Sequence, residues 1–247
     1  MSAIHLSIVI PAYNEEKRIT DCIDTIAAYL SEQHYVSEII AVDDGSADAT
    51  LTVLQSLQTQ HSIVKVLSYA ENHGKGYAVR QGVLAAEGNY VLFSDADLNV
   101  PIEEITKLFA ALREGAQIAI GSRAAEGAVV AGRRPRLREI GSRCLNLAIR
   151  MLAVPGIRDT QCGFKLFGTN TAKDLFRRSF MDGFSFDVEI LYLARKLGYR
   201  VEEVPVTWIF RGGSKVRPVR DGLLFLRDIL RMRLHNYRLS AAAETAK

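Results

Sequence analysis

The sequence predicts an α/β fold, with a mostly parallel central sheet flanked by helices in the Rossmann-like manner. In the first half of the chain, short β-branched runs alternate with helix-sized segments, a pattern typical of βαβ units. Polar motifs directly follow several of these runs, as expected where parallel strands end. The strands are predicted at residues 6–10, 38–42, 64–67, 90–93 and 117–120.

Local signals place several helix boundaries. Ser46, ahead of Asp48, predicts a helix N-cap with an acidic first turn. Pro101, followed by two glutamates, is typical of the first residue of a helix. Residues 126–135 are small and basic and predict a loop. Beyond it we predict an extended segment at 162–167, a strand at 200–208, and helices at 137–152, 170–178 and 187–197.

Composition narrows the class of protein. The chain has 247 residues, of which 48% are apolar and 24% charged, as in ordinary globular proteins. A net charge of +3 without a long Lys/Arg run gives no support for nucleic-acid binding. The three cysteines form no C-x-x-C pair, so neither a disulfide framework nor a zinc site is expected, and a cytoplasmic location fits. We also expect no signal peptide and no membrane span, because no apolar run reaches about 18 residues.

Four predicted strands are followed by polar clusters. They are PAYNEE at 11–16, DDGS at 43–46, NHGKG at 72–76 and DAD at 95–97. Each alone is compatible with ordinary turn chemistry. Because the carboxyl ends of parallel strands meet at one edge of a sheet, we interpret the four together as one nucleotide site.

Asp95 and Asp97 are the predicted metal ligands, with Asn99 as a third oxygen donor. Carboxylates beside a core are costly unless something neutralises them. Mg²⁺ and Mn²⁺ prefer oxygen ligands and can also reach substrate phosphates. The pattern therefore predicts Mg²⁺ or Mn²⁺ bridging a diphosphate.

These motifs, in this order, resemble the GT-A glycosyltransferases of family 2. The second half is similar to one subgroup, the dolichyl-phosphate or polyprenyl-phosphate β-glucosyltransferases, through DTQCGFK at 159–165, FDVE at 186–189 and GSKVR at 213–217. The resemblance implies a single GT-A catalytic domain over residues 1–240. Its nucleotide-binding half would cover about 1–122 and its acceptor-binding half about 123–240, and we predict a disordered tail at 241–247.

The resemblance also implies a set of nucleotide-sugar contacts. Tyr13 would stack on the base and Glu15 would accept ribose hydroxyls. Asp44 would bind the uracil imide, with Asp43 as the alternative, and Gly74 and Gly76 would let the backbone approach the nucleotide. The full predicted set is Pro11, Ala12, Tyr13, Glu15, Asp43, Asp44, Lys75, Gly76, Asp95 and Ala96.

The acceptor decides whether a base is needed. A sugar hydroxyl must lose its proton during attack, for which Asp187 is the first candidate and Glu189 the second. A phosphate monoester, with a second pKa of about 6, is already mostly dianionic and needs cationic guides instead. Asp97 and Asp187 are thus the predicted catalytic residues. The candidate guides are Arg123, Lys165, Arg211, Lys215 and Arg217.

The last helical stretch suggests contact with a membrane surface. Its predicted apolar face is bordered by a stripe of arginines, which suits an anionic bilayer interface, although such a face can equally pack on a protein core. The apolar residues are Leu223, Leu226, Leu230, Leu234 and Tyr237, and the arginines are Arg220, Arg227, Arg231 and Arg238. We expect a peripheral protein on the cytoplasmic face of a membrane, and the oligomeric state is left open.

The expected activity is metal-dependent, inverting transfer of glucose from UDP-glucose to a dolichyl or polyprenyl phosphate. The choice of UDP-glucose rests on the resemblance alone. Transfer to a saccharide hydroxyl, use of GDP-mannose as the donor, and a non-enzymatic nucleotide-sugar sensor remain alternatives. A Rossmann oxidoreductase is excluded because PAYNEE stands where G-x-G-x-x-G would follow the first strand.

Overall fold

The computed structural model describes residues 4–132, 153–210 and 218–237, with side chains from 225 onward in the last segment except that of 226. The predicted helix at 137–152 and the predicted tail at 241–247 lie outside these ranges. No helix within them is long and apolar enough to cross a bilayer.

Strands and helices alternate through the first half, as predicted. The elements are β1 (Leu6–Ala12), α1 (Ile19–Ser31), β2 (Ser37–Asp43), α2 (Thr50–Gln60), β3 (Val64–Ser68), α3 (Lys75–Ala85), β4 (Tyr90–Ser94), a 3-10 helix (Ile102–Glu104), α4 (Ile105–Arg113) and β5 (Ile118–Ser122). The second half adds β6 (Val129–Ala131), β7 (Phe164–Gly168), α5 (Thr169–Arg178), α6 (Phe186–Lys196), β8 (Val201–Pro205), β9 (Thr207–Ile209) and α7 (Pro218–Leu234).

The central sheet has the order β3-β2-β1-β4-β7-β5-β8. Its neighbouring strands pair in parallel except at β7, which runs antiparallel to both β4 and β5. The expectation of a mostly parallel sheet flanked by helices is confirmed. A second, small sheet pairs β6 with β9 in parallel.

Helices cover both faces of the sheet. Along β1, Ile8 and Ile10 pack into one core cluster with α1, α2 and α4, whereas Val9 packs into the other with α3, α5, α6 and α7. Strands buried on both faces have continuous apolar runs rather than alternating ones. This is why their positions were predictable from the sequence.

Two predicted helix starts are wrong. Helix α2 begins at Thr50, and Asp48 rather than Ser46 accepts a hydrogen bond from its first backbone N–H, at 3.0 Å. Ser46 instead accepts the N–H of Asn14 at 2.9 Å, which ties the loop after β1 to the loop after β2. Pro101 lies one residue before the 3-10 helix rather than at the start of α4.

The predicted strand at 200–208 is two strands in different sheets. β8 pairs with β5 in the central sheet, and β9 pairs with β6 in the small sheet. Val206 separates the two, and its N–H donates to Ser122 O. The pattern of apolar residues runs across this break, so the local sequence did not reveal it.

The apolar face of α7 differs from the prediction. Phe225, Ile229 and Met232 face the core. Tyr237, which was predicted to share a face with the leucines, is also buried. Leu230 and Leu234 project into solvent, 62% and 85% exposed. The helix therefore buries one apolar stripe and exposes part of another.

Candidate functional site

The loops after β1 and β2 interlock at one edge of the sheet. The Asp44 N–H donates to Ala12 O at 2.8 Å, and the Ala47 N–H donates to Asn14 Oδ1 at 2.8 Å. Asn14 has a left-handed backbone, with φ of 53°. Two of the four predicted polar clusters are thus adjacent.

Asp44 organises the third cluster. Its buried carboxylate accepts the side chain of Asn72 at 2.8 Å and the backbone N–H groups of His73 and Gly74 at 3.0 and 2.8 Å. These bonds fix the turn that leads into α3. The carboxylate of Asp44 therefore serves the fold of the site, whichever ligand contacts its remaining surface.

One carboxylate oxygen of Asp43 lacks a hydrogen-bond donor among the described residues. Its Oδ2 accepts the N–H of Ser46 at 3.3 Å, but its Oδ1 is buried without a hydrogen-bond partner among the described residues. An unsatisfied buried carboxylate oxygen is costly unless a ligand supplies a donor. Asp43, the alternative in the sequence interpretation, thus offers a carboxylate oxygen without a donor among the described residues.

The glycines of the HGKG turn pack closely against another segment of the protein. Gly74 has φ of +107°, and a Cβ there would lie 2.5 Å from Asp182 O. At Gly76 a Cβ would overlap Met181 O and lie 2.7 Å from Phe186 Cβ. Close packing against the segment before α6 therefore requires glycine at both positions, and the predicted approach of this backbone to a nucleotide stays a prediction.

Asp95 follows β4 and is held from two sides. Its N–H donates to Gly163 O at 3.1 Å, and its Oδ1 lies 2.6 Å from Lys75 Nζ. A Cβ on Gly163 would overlap the Asp95 carboxylate. The glycine of the DTQCGFK motif is therefore what makes room for this side chain.

Lys75 stands at the first position of α3 with an aromatic ring on either side. Its Nζ lies 5.3 Å from the ring centre of Phe93 and 5.9 Å from that of Phe184. Burial favours the neutral amine, but the charges of Asp95 and Asp187 outweigh burial, and the pKa of Lys75 is raised. The ammonium is charged at neutral pH.

Asp97 is oriented by Asn99. Asp97 Oδ1 accepts the backbone N–H of Asn99 at 3.2 Å, and Oδ2 accepts its side-chain amide at 2.5 Å. Burial, and then the charge of Asp95, raise the pKa of Asp97. Asn99, predicted as a metal ligand, directs its amide nitrogen at Asp97 and thus acts on this carboxylate.

A pocket opens beside these carboxylates, between the end of β4, the start of β7 and β9. Sequence reasoning missed Trp208, which lies on β9 in its wall. The signal was the lone tryptophan of the chain, in a stretch predicted only as strand. The lining residues are Ser94, Asp95, Asp97, Leu98, Asn99, Val100, Gly163 and Trp208.

The donor set fits a hard divalent cation that is shared with a substrate. Two carboxylates lie in one pocket wall, and the described residues contain no set of three His, Cys, Asp or Glu side chains around a common point. Mg²⁺ is usually held by one or two carboxylates, with waters and phosphate oxygens completing its shell. Asp95 already attracts a cation, the ammonium of Lys75. The pKa of Asp97 is raised by burial and then by the charge of Asp95, and a bound cation would oppose both effects.

Lys165 and Asp187 form a buried pair behind the pocket. Lys165 is 1% exposed, and its Nζ donates to Asp187 Oδ1 and to Cys162 O, both at 2.5 Å. Lys165 was predicted to guide the acceptor phosphate; the structure corrects this, since the ammonium is enclosed. Burial raises the pKa of Asp187, while Lys165 and Lys75 oppose the rise.

Glu189 and Arg123 are also committed to protein partners. Glu189 is fully buried and accepts the Tyr237 hydroxyl at 2.7 Å and the Met181 N–H at 3.0 Å, which makes it a structural anchor rather than a base. Arg123 binds Asp159 through two nitrogens, at 2.6 and 2.7 Å, and lies 5.8 Å from the ring centre of Trp208. Arg123 therefore contributes charge near the pocket from a fixed position.

Known proteins resemble this chain over most of its length. The family model described as glycosyl transferase family 2 matches residues 7–176. This chain belongs to glycosyl transferase family 2. The glycosyltransferase is 40% identical over 240 residues to the dolichyl-phosphate beta-glucosyltransferase of Drosophila melanogaster, covering 92% of this chain and 74% of the relative. It is 34% identical to the Homo sapiens protein of that name, covering 93% of this chain and 75% of the relative.

Solved structures support the GT-A fold. Glucosyl-3-phosphoglycerate synthase from Mycobacterium tuberculosis in complex with UDP aligns with a TM-score of 0.64 and 24% identity, over 93% of this chain and 80% of that one. Mannosyl-3-phosphoglycerate synthase from Rubrobacter xylanophilus aligns with a TM-score of 0.65 and 20% identity, over 99% and 78%. The predicted fold class is confirmed.

The remaining predicted contacts of the glycosyltransferase fall into three groups. Tyr13 is 40% exposed beside the site, and Glu15 pairs with Arg18 at 2.7 Å. Ala12 and Ala96 are buried in the core, so they offer backbone rather than side chains, and Pro11 is half-buried. The predicted phosphate guides that lie outside the described residues are Arg211, Lys215 and Arg217.

Proposed function

We propose that this glycosyltransferase transfers glucose from UDP-glucose to a dolichyl or other polyprenyl phosphate, with inversion to a β-linked product. The relatives named above, which carry a dolichyl-phosphate beta-glucosyltransferase name, support the donor sugar and the acceptor. The observation that carries the proposal is the pair of carboxylates, Asp95 and Asp97, in one pocket wall at the end of β4, a donor set suited to a metal–diphosphate complex.

The donor would lie across the ends of β1, β2 and β4. Asp43 Oδ1 would accept a hydrogen bond from the nucleoside, and the exposed ring of Tyr13 offers a stacking surface. Lys75, at the N-terminus of α3, would contact the diphosphate. These groups fix the nucleotide so that the anomeric carbon faces the acceptor.

Asp95 and Asp97 would hold Mg²⁺ or Mn²⁺. Two solved neighbours are described as complexes with Mn²⁺ and UDP, which supports a divalent metal for this fold. When bound, the ion would neutralise the charge that develops on the departing nucleoside diphosphate. Asn99 keeps Asp97 oriented for this task through two hydrogen bonds.

The surroundings of Asp187 favour a phosphate acceptor over a sugar hydroxyl. A base must reach the proton that it removes. Asp187 is 5% exposed and paired with Lys165, and it is not among the lining residues. A phosphate monoester is already ionised at neutral pH and needs no such base. In this proposal Asp187 positions Lys165 and Lys75, and Arg211, Lys215 and Arg217 remain the candidate phosphate guides.

The exposed face of α7 would meet the membrane that carries the lipid. Leu230 and Leu234 lie one helical turn apart in solvent, with exposed arginines on both sides of them. Such a surface suits an anionic interface on the cytoplasmic side, where each arginine adds about 1 kcal/mol. The arginines are Arg227, Arg231 and Arg233.

The test measures UDP release from UDP-glucose with Mg²⁺ or Mn²⁺ under three conditions: no acceptor, a polyprenyl phosphate in detergent, and a set of free saccharides. Release that requires the lipid phosphate, with a β linkage in the product, is the expected result. UDP release only with a saccharide would contradict the proposed acceptor and show that the enzyme transfers the sugar to a hydroxyl group. UDP binding without release under any condition would contradict the proposed donor or the proposed activity.

A further inference from the structure

Two lysines near the pocket differ in how far their ammonium groups are enclosed by the protein. Lys165 is enclosed, and its ammonium is held by Asp187 and by a backbone carbonyl. The side chain of Lys75 is 22% exposed, and its ammonium contacts the carboxylate of Asp95, 2.6 Å away, at the pocket wall. Only the second lysine contacts a residue that would also bind the metal.

The backbone of Lys75 is held in place, whereas its side chain can rotate. On either side of it, Gly74 and Gly76 lie close against the segment at 181–183, and the Tyr77 N–H donates to Asp182 O, which ties the start of α3 to that segment. The ring centres of Phe93 and Phe184 lie 5.3 and 5.9 Å from the ammonium. The rings stabilise a cation at this position by cation–π attraction, which does not depend on a hydrogen bond to one particular oxygen. The side chain can therefore exchange partners by rotation alone.

A divalent cation and the Lys75 ammonium compete for Asp95. With Lys75 Nζ at Oδ1, an ion bound by the same carboxylate would carry two positive charges beside a third. At such distances opposite charges attract and like charges repel strongly, so the ion and the ammonium disfavour each other at this carboxylate. A diphosphate removes the conflict, because it offers anionic oxygens to the ammonium and to the ion together.

We propose that Lys75 makes metal binding and nucleoside-diphosphate binding depend on each other. Without the diphosphate, its ammonium neutralises Asp95 and weakens binding of the ion. With the diphosphate, the ammonium moves to the phosphate oxygens and Asp95 becomes free for the ion. The inference rests on the proposed function, since it assumes a nucleoside-diphosphate donor in this pocket.

The test measures Mn²⁺ affinity by the electron paramagnetic resonance signal of the free ion, with and without UDP, in the intact protein. In the unsubstituted protein we expect UDP to tighten Mn²⁺ binding within the range of roughly 5- to 150-fold that is typical of coupled sites. Lys75→Met is expected to tighten Mn²⁺ binding without UDP by roughly tenfold. It should also reduce the factor by which UDP tightens Mn²⁺ binding.

Two variants serve as controls. Lys75→Arg keeps the cation and should keep the coupling, and Lys107→Met removes an exposed lysine that pairs with Glu104 elsewhere on the surface and should change neither affinity. If Lys75→Met does not fold, Lys75→Gln replaces it, with the same expectation. Mn²⁺ affinity without UDP that is unchanged or weaker in the neutral variant would overturn the inference.

The readout also separates this inference from the proposed function. Mn²⁺ and UDP affinities are measured without any acceptor or turnover. Absence of transfer to a lipid phosphate would contradict the proposed acceptor while leaving the coupling measurable. Conversely, normal transfer together with unaltered Mn²⁺ affinity in Lys75→Met would leave the function standing and refute the role of Lys75.

Discussion

Asp97 combines burial, a like-charged neighbour and an amide that orients it. An amide at this position would keep the shape of the side chain while removing the charge that a metal needs. We expect Asp97→Asn to lower metal-dependent UDP release by about 100-fold or more. The melting temperature should stay close to that of the unsubstituted protein, and Asp21→Asn, an exposed change on α1, should alter neither property. Activity near the original level would refute the metal assignment.

The pair of Lys165 and Asp187 gives a prediction about stability. Lys165→Met leaves a buried carboxylate without its cation, and such a break costs about 3 to 5 kcal/mol. The double variant Lys165→Met/Asp187→Leu removes both charges and should recover most of that loss. Urea denaturation of the three proteins measures the difference. A single variant as stable as the original would show that the ion pair does not stabilise the fold.

Gly163 links a backbone position to the metal site. Gly163→Ala would place a methyl group within the Asp95 carboxylate, so this carboxylate must move. A displacement of about 1 Å at a reacting group can cost roughly 100-fold, and we expect a loss of that size in UDP release. Gly183→Ala, where no heavy atom lies within 4 Å of the new Cβ, is the matched control. Equal activity in the two variants would contradict this role.

At the level of single residues, the sequence predicted what depends on local order and missed what depends on distant partners. Asp95 and Asp97 follow their strand directly, and the sequence placed them together at the sheet edge from that position, while their role as metal ligands stays a prediction. Nothing near Asp44 in the sequence shows that its carboxylate binds Asn72 and the turn beyond it. Glu189 is likewise explained by Tyr237, which is 48 residues away.

Among the elements, the strands buried on both faces were predictable because their apolar runs are continuous. The direction of β7 was not, since pairing between β4, β7 and β5 joins segments far apart in the sequence. The separation of β8 from β9 depends in the same way on β5 and β6 as partners.

Helix α7 carries the prediction about the membrane. Leu230→Ser and Leu234→Ser should each weaken binding to vesicles that contain anionic lipid by roughly tenfold, as expected when one leucine no longer enters an apolar phase. Vesicle co-sedimentation measures the change. Val36→Ser, at an exposed valine ahead of β2, should leave binding unchanged. Equal binding by all three variants would refute this face as the contact surface.

In the whole molecule, one strand of the second half completes the sheet of the first. β7 lies between β4 and β5, which do not pair with each other. A fragment of residues 1–122 therefore lacks β7, the strand that joins β4 to β5. We expect this fragment to show no cooperative unfolding. The intact protein should unfold in a single transition by circular dichroism. A fragment that melts cooperatively would show that the first half is an independent unit.

The insertion of β7 has a consequence for protein engineering. Lys165 and Gly163 belong to the part of the chain expected to contact the acceptor. Yet Lys165 pairs with Phe93 in the β4–β7 ladder, and Gly163 O accepts the N–H of Asp95. A one-residue slip of this strand would turn every side chain to the opposite face. Chimeras that exchange acceptor specificity between relatives should therefore retain the host's residues 162–168 and recombine only outside them.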